Sequence, residues 1–265
     1  MPSLRVSGLY RYPVKSLGGE AFSSLEVGAR GPELDRHWMV VDADGRFITQ
    51  RQQPRMCLIQ ARMGRDQALW LAAPGMPEIR VGEGLAERLE VRVWEDVLSA
   101  SVAGPAADRW LSDFLALPCR LVSLPDDEAR PVDPDYADPP DQVGFADGFP
   151  FLLISQASLD DLNSRLETPL PMLRFRPNLV VSGCEPYAED GWRRLRIGGL
   201  EFHVAKPCSR CIIPTIDPAT AQRSAEPLRT LKGYRRRDNK IYFGQNLVHR
   251  GSGRLAVGMP VEVLA

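Results

Sequence analysis

The first hundred residues alternate apolar and polar positions in short runs, a period that predicts β-strands. An opening run over 4–12 stops at Pro13. The runs 37–42 and 46–50 flank an Ala-Asp-Gly turn, which predicts a hairpin. Further runs follow between Gly and Pro turns, at 58–62, 68–72, 78–81, 89–94 and 98–103. Many short strands at this spacing predict a barrel or a sandwich.

The spacing then becomes helical over 106–117, before Pro118. The large apolar residues there share one face: Trp110, Leu111, Phe114 and Leu115. This predicts an amphipathic helix packed over the barrel, with a short strand after it at 120–124. Residues 125–140 are rich in Asp and Pro and lack an apolar period, so we expect an irregular loop, either a solvated linker or a lid.

The second half again favours strands. An apolar run over 149–154 leads into a helical pattern over 155–166, and a strongly apolar strand begins near Asn178. A hairpin is predicted from 192–197 and 200–204, followed by strands over 242–248 and 259–264. The second half is therefore predicted to be another mainly β barrel, and the whole chain to be mainly β with a few helices.

Composition is that of an ordinary globular protein. The chain has 265 residues, 44% of them hydrophobic, with 33 basic against 34 acidic side chains. This balance argues against a nucleic-acid partner. Arg5 and Arg11 interrupt what would be the apolar part of a signal peptide, and no run is long enough to span a membrane. With five cysteines and no disulfide-like spacing, we expect a cytoplasmic protein without a membrane partner.

Candidate chemistry is concentrated between His203 and Asp217, where a strand-like run reaches Pro207 and then Cys208 and Cys211. Because proline lacks a backbone donor, we expect the chain to leave the sheet there, with both thiols in a loop at a strand mouth. Lys206 and Arg210 flank the thiols, and nearby positive charge favours the thiolate, the form that binds metals.

A Cys-x-x-Cys pair has other interpretations. Structural zinc needs two further ligands, and the remaining cysteines and histidines are isolated in sequence. A thioredoxin-like pair would begin a helix, which Pro214 and the β-branched residues around it disfavour. Two buried cysteines acting as small hydrophobic residues remain the third alternative.

The same stretch carries a family resemblance. Lys-Pro-Cys-Ser-Arg-Cys-Ile-Ile-Pro-Thr-Ile-Asp-Pro from Lys206, Glu-Pro-Leu-Arg-Thr-Leu-Lys from Glu226 and Phe-Gly-Gln from Phe243 resemble the core of a MOSC domain. Upstream, Tyr-Pro-Val-Lys-Ser from Tyr12, Asp-Arg from Asp35 and Phe-Arg-Pro-Asn from Phe175 are similar to the subgroup with an N-terminal β-barrel. That subgroup includes the mitochondrial amidoxime reducing component and bacterial YcbX-type proteins.

The resemblance implies an N-terminal β-barrel-like domain over 1–120 and an α/β MOSC-type barrel over 121–265. It also implies a molybdenum cofactor, with Cys211 and not Cys208 as the protein ligand to molybdenum and the catalytic residue. Further cofactor contacts are implied at these positions: Lys15, Ser16, Arg36, Ser155, Gln156, Arg176, Asn178 and Ser209. The junction at Ser155 is one where a helix N-terminus could receive a phosphate, although ordinary capping explains that serine equally well.

The implied activity is reduction of small N-hydroxylated compounds such as amidoximes and hydroxylamines. The alternative is a molybdenum-cofactor or persulfide sulfur carrier without reductase activity. No cysteine follows Cys211, and no dinucleotide fingerprint is present, so we expect electrons from an external reductase or small electron carrier. The basic run from Lys232 to Arg237 is either a solvated turn or a docking site for an acidic redox partner.

Overall fold

We describe the fold from a computed structural model, which describes residues 3–64, 66–82, 87–137 and 141–265. As predicted, it is mainly β. The strands of the first half are β1 (Arg5–Arg11), β2 (Glu20–Phe22), β3 (Ser24–Gly28), β4 (Gly31–Pro32), β5 (Trp38–Val41), β6 (Gln60–Met63), β7 (Leu69–Ala72), β8 (Ile79–Val81), β9 (Arg88–Val93), β10 (Asp96–Val102) and β11 (Arg120–Ser123). Those of the second half are β12 (Phe151–Ser155), β13 (Leu179–Ser182), β14 (Arg194–Ile197), β15 (Leu200–Ser209), β16 (Arg236–Arg237), β17 (Lys240–Arg250), β18 (Gly253–Ala256) and β19 (Val261–Val263).

Three α-helices interrupt the strands of the described residues: α1 (Pro105–Leu115), α2 (Gln156–Ser164) and α3 (Leu228–Lys232). Helix α1 confirms the amphipathic prediction. It begins at Pro105, where the missing backbone N–H leaves no intrahelical hydrogen bond unmade. It ends at Leu115, and the next residue, Ala116, has a left-handed backbone conformation. In the described ranges, no helix is long and apolar enough to cross a membrane.

In the first half, the sheets β5-β11-β10-β9 and β6-β7-β8 enclose apolar cores. The apolar face of α1, with Trp110, Leu111 and Phe114, packs into one of these cores together with Leu69 and Leu71 of β7. Burying each such side chain contributes roughly 1.5–3 kcal/mol. The helix therefore packs against both sheets, next to β11 of one and β8 of the other, and its apolar face is buried as predicted.

The largest sheet of the described residues has the order β19-β14-β15-β17-β12-β13-β1-β2, with β16 paired to β17. Strand β1 pairs antiparallel with β13, with Leu9 opposite Leu179. Strand β3 likewise pairs with β18. The first residues of the chain therefore extend the sheets of the second half. The division into 1–120 and 121–265 stays a prediction.

Two local predictions were wrong. We expected the chain to leave the sheet at Pro207, but strand β15 continues through it to Ser209. The strand shifts register on both sides of this proline, so the missing N–H does not have to form a hydrogen bond with β17. The hairpin at Asp44-Gly45 forms, but 46–50 is no continuous strand, because its backbone contacts divide between Val41 and Arg92. Of the predicted loop 125–140, residues 138–140 lie outside the described residues, while Pro131 forms a single bridge to Gln142.

Candidate functional site

The two cysteines lie where β15 ends. Ser209 is the last residue of that strand and faces Tyr242 of β17. The backbone N–H of Arg210 donates to the Ile241 carbonyl at 2.7 Å, so the chain is still tied to β17 one residue before Cys211. Cys208 thus belongs to the strand and Cys211 to the turn after it. Pairing with β17 therefore positions the backbone of Cys208 directly and that of Cys211 through its neighbour Arg210.

A cavity of about 140 Å³ opens beside this turn. Residues from six separate parts of the chain line it, and they include seven of the residues implied by the family resemblance: Lys15, Ser16, Arg36, Arg176, Asn178, Ser209 and Cys211. Because these side chains come from elements far apart in sequence, only the tertiary fold brings them together. Their contact with a cofactor stays a prediction.

Lys15 and Arg51 converge on Asp147 at the cavity wall. The Lys15 Nζ donates to Oδ1 of Asp147 at 2.6 Å and to the Phe145 carbonyl at 2.8 Å, and Arg51 donates to Oδ2 at 2.8 Å. Burial lowers the pKa of Lys15 from 10.5 to about 8, against the opposing charge of Asp147. Burial would raise the pKa of Asp147, but the two cations hold it well below its usual range. At neutral pH all three groups are charged.

A second pair of cations surrounds Tyr12. The guanidinium carbons of Arg36 and Arg176 lie 4.3 and 4.2 Å from the centre of its ring. Arg36 is held by Asp35 at 2.6 Å and by the Asn178 amide oxygen at 3.1 Å. Among the residues that the structure describes, Arg176 has no carboxylate partner; it donates from Nη1 to the Leu17 carbonyl at 2.6 Å. The site therefore has more positive charge than its own acids neutralise.

The electrostatics of Arg176 are unfavourable without a ligand. Burial, together with the like charge of Arg36, lowers its pKa to about 10. Its Nη2 is buried and has no hydrogen-bond partner among the described residues. A buried, unpaired cationic donor costs free energy. An anionic or carbonyl oxygen from a ligand would satisfy it.

The backbone of the cavity wall is also strained. Ser16, Arg36 and Arg176 have φ values of 66°, 45° and 57°, in the left-handed region that residues other than glycine rarely adopt. Each such residue costs on the order of 1–3 kcal/mol, and residues of this kind cluster at ligand sites. Three of them at one cavity support its assignment as a functional site.

The two thiols have different surroundings. The Cys208 sulfur accepts from Nη1 of Arg210 at 3.2 Å, while Nη2 of the same guanidinium donates to the Phe175 carbonyl at 2.8 Å. Cys211 lies beside Arg51; burial lowers the pKa of that arginine, but the charges of Asp147 and Cys211 raise it by more. Both sulfurs thus have a cationic neighbour, and both residues line the cavity.

Ser155 and Gln156 are not part of the cavity lining. The Ser155 hydroxyl accepts from the backbone N–H of Ser158 at 3.1 Å as the N-cap of α2, and its own N–H donates to Glu189. Gln156 donates to Asp160 on the same helix. Helix capping explains the position of Ser155, and a pair four residues apart on one helix explains that of Gln156, so their contact with a cofactor stays a prediction without support from the cavity.

The lining contains residues that sequence reasoning did not assign to the cofactor, among them Asp147, Gly148 and Arg210. Arg210 lies between the two cysteines and was singled out as a charge next to the thiols. Gly148 has open space where a side chain would begin. Asp147 and Gly148 lie after the Asp- and Pro-rich stretch 125–140, and nothing in the local sequence distinguishes the Asp147 carboxylate from the acidic residues before it.

These residues fit an anionic, metal-bearing cofactor. Among residues 3–64, 66–82, 87–137 and 141–265, no three His, Cys, Asp or Glu side chains group closely enough to hold a metal. A metal at Cys211 would therefore need further ligands from the cofactor itself. The cavity offers the two partly buried thiols of Cys208 and Cys211, a guanidinium donor of Arg176 that has no partner in the described ranges, and the open space at Gly148.

A wider cleft of about 860 Å³ continues from the cavity to the surface. The two share Asp147, Gly148, Phe149 and the turn from Cys208 to Cys211. The cleft is further lined by Arg51 and Trp94 on one side, and by Lys206 and Lys240 on the other. Its volume suits a small molecule.

Comparison with known proteins shows the family to which the chain belongs. Residues 3–118 match the MOSC N-terminal beta barrel domain, and residues 140–262 match the MOSC domain. The chain is 40% identical over 280 residues to mitochondrial amidoxime-reducing component 1 of Homo sapiens, covering 98% of this chain and 82% of that one. It is 35% identical to component 2 of the same organism, covering 97% of this chain and 82% of the relative.

A third relative is a molybdenum cofactor sulfurase of Solanum lycopersicum. Identity is 33% over 261 residues, which cover 88% of this chain and 32% of the sulfurase. The similarity is thus to one part of a longer protein. The resemblance read from the motifs is confirmed by these matches.

Proposed function

Because the chain belongs to the family of MOSC proteins with an N-terminal beta barrel domain that includes the mitochondrial amidoxime-reducing components, we propose that it is a molybdenum-cofactor-dependent reductase of N-hydroxylated compounds. The observation that carries the proposal is Cys211 in the lining of a cation-rich cavity, where Arg176 has no carboxylate partner within the described part of the chain. Its cytoplasmic location stays a prediction.

In this proposal, Cys211 supplies the thiolate to molybdenum, and the cations hold the anionic part of the cofactor. Lys15 and Arg176 provide charge-assisted donors, while Arg36, held by Asp35 and Asn178, keeps a fixed orientation. Ser16 and Ser209 add polar groups to the lining. The bound cofactor supplies the two-electron chemistry at the metal.

The proposed reaction breaks the N–O bond of an amidoxime or hydroxylamine. The substrate takes up two electrons and two protons and gives an amidine or amine and one water molecule. The protein's part is to orient the N-hydroxyl group toward the metal and to control access through the wider cleft. Consumption of protons follows from the balance of the reaction.

A sulfur carrier is the second candidate, and the similarity to the molybdenum cofactor sulfurase motivates it. A carrier would hold a persulfide on Cys211 and would need no tightly bound metal. The relatives that share nearly the whole length of this chain are amidoxime-reducing components, which favours the reductase. Metal content and turnover distinguish the two candidates.

The first prediction concerns the electron donor. Purified, metal-loaded protein mixed with benzamidoxime and NADH should give no turnover, because no nucleotide-binding fingerprint is present in the sequence. Reduced methyl viologen should support formation of benzamidine, measured by chromatography. Sustained NADH oxidation by the isolated chain would contradict the need for an external reductase, and no turnover with viologen would contradict the proposed reductase activity itself.

The second prediction concerns the basic hairpin at Arg236 and Arg237. Both side chains are exposed, and the adjoining Lys240 lines the cleft that leads to Cys211. Arg235 of the same run is instead bound to Asp190 at 2.7 Å. We propose that the exposed cations receive an acidic electron-transfer protein, since complementary charge accelerates association.

Arg236→Gln with Arg237→Gln should slow turnover with a protein donor, and added salt should remove the difference from wild type. Turnover with viologen should not change. Arg196→Gln, which removes an exposed arginine from β14, is the matched control. Equal slowing with both reductants, or none with either, would end the docking proposal.

A further inference from the structure

One aromatic side chain in the wider cleft is both exposed and conformationally costly. Trp94 lies in the tight turn between β9 and β10, with φ at 57°. Asn or Gly normally occupies such a position, because bulky side chains rarely adopt this conformation. Trp94 is nevertheless 47% exposed, so it does not serve a core. Residues held in an unfavourable backbone conformation are expected at functional positions.

The contacts of Trp94 connect it to the proposed metal ligand. The guanidinium carbon of Arg51 lies 4.9 Å from the centre of its ring, and Phe47 packs at 5.1 Å with the rings inclined at 60°. Arg51 is held by Asp147 at 2.8 Å and lies beside Cys211. A single arginine side chain therefore separates the indole from the sulfur.

These contacts fix the indole without covering it. Phe47 and Arg51 hold the ring at the cleft wall, and nearly half of the side chain stays accessible. Phe149 lines the same cleft and the inner cavity. A flat aromatic group entering the cleft would therefore meet aromatic surface close to Cys211.

We infer that Trp94 is the part of the site that selects planar aromatic N-hydroxylated substrates, by stacking on the aryl ring while the N-hydroxyl group points toward Cys211. The inference rests on the proposed function for the direction of the reacting group. Stacking of the aryl ring on Trp94 does not depend on the reaction, so the affinity for the substrate can be measured without a reductant. An aliphatic amidoxime has no ring to stack, so it would gain nothing from Trp94.

The kinetic test compares benzamidoxime with acetamidoxime, using viologen as reductant. In Trp94→Ala the ratio of kcat/KM for benzamidoxime to that for acetamidoxime should fall roughly tenfold, as expected for loss of an aromatic contact of about 1.4 kcal/mol. The change should lie in KM, because stacking is equal in the ground and transition states. Trp94→Phe should restore most of the ratio.

Trp70 provides a matched control. It is a tryptophan on β7 with Arg62 4.9 Å from its ring centre, the same distance as between Arg51 and Trp94, and it does not line the cleft. Trp70→Ala should leave the substrate ratio unchanged. An unchanged ratio in Trp94→Ala, or an equal fall in Trp70→Ala, would overturn the inference.

A binding measurement separates this inference from the proposed reaction. Calorimetric titration of the full chain with benzamidoxime, without any reductant, should show roughly tenfold weaker binding in Trp94→Ala than in wild type. Equal affinity would overturn the role of Trp94 even if the protein reduces amidoximes. Absence of turnover in every variant, with the affinity difference present, would instead contradict the proposed reductase and leave the aromatic subsite supported.

Discussion

Replacing Cys211 by alanine should abolish the reduction of amidoximes, whereas Cys208→Ala should retain most of it. Cys211 lies in the turn two residues beyond Ser209, the last residue of β15, and beside Arg51, while Cys208 belongs to the strand and its sulfur accepts from Arg210 at 3.2 Å. Loss of the thiolate removes the protein ligand to the metal. Turnover of benzamidoxime with reduced viologen measures the effect, and the visible absorption of the protein reports the metal.

The two cysteine variants are matched controls for each other. Both thiols lie at the same strand end and are partly buried, so a general effect of removing a sulfur atom would affect both variants alike. Full activity in Cys211→Ala with loss in Cys208→Ala would show that Cys208, and not Cys211, is the metal ligand. Equal retention in both variants would favour the purely structural interpretation of the pair.

Arg176→Met should weaken cofactor binding by about 10- to 150-fold, the equivalent of a charge-assisted hydrogen bond of about 1.5–3 kcal/mol. The protein should therefore be purified with little cofactor. Because burial and Arg36 already lower the pKa of Arg176, its charge costs stability when no anion is bound. The free energy of unfolding of the cofactor-free protein should then change little. Cofactor released by denaturation and chemical denaturation curves measure the two effects.

Arg174→Met is the control for this experiment. Arg174 is two residues away and also buried, but it pairs with Asp217 at 2.8 Å. Its removal leaves that carboxylate without its guanidinium and should lower stability while the bound fraction of cofactor stays near wild type. Full cofactor retention in Arg176→Met would reduce its role to packing against Tyr12. Equal cofactor loss in both variants would show a general effect of destabilising this segment.

Local sequence was enough to predict most elements of the fold. The spacing of Trp110, Leu111 and Phe114 predicts α1, and the alternating runs predict the strands of both halves. The prediction that the chain leaves the sheet at Pro207 was wrong, because the effect of a proline depends on whether the strand can shift register around it. A register shift is a property of the pairing with β17, which local sequence does not contain.

The candidate site was predicted through motifs, and its missing parts are those that only tertiary contacts define. Lys15 and Asp147 are separated by 132 positions and meet at 2.6 Å. Nothing in the sequence near Asp147 distinguishes it from the acidic residues that precede it. Ser155 stayed among the cofactor candidates because a serine that caps a helix and a serine that binds phosphate at a helix N-terminus have the same local sequence.

The pairing of β1 with β13 has a consequence for the site. Lys15 and Ser16 follow β1, and Asn178 precedes β13, so this pairing brings the first cofactor candidates next to Arg176. The N-terminal segment thus contributes β1 to the large sheet, and Lys15 and Ser16 to the cavity wall. A site assembled in this way depends on the complete sheet.

Metal content tests the central claim most directly. The protein should be expressed in a host that makes the molybdenum cofactor, purified, and analysed for metals by mass spectrometry alongside Cys211→Ala. We predict stoichiometric molybdenum in the wild-type chain and in Cys208→Ala, and loss of molybdenum in Cys211→Ala. A wild-type chain without molybdenum, or with equal molybdenum in the presence and absence of Cys211, would contradict the account.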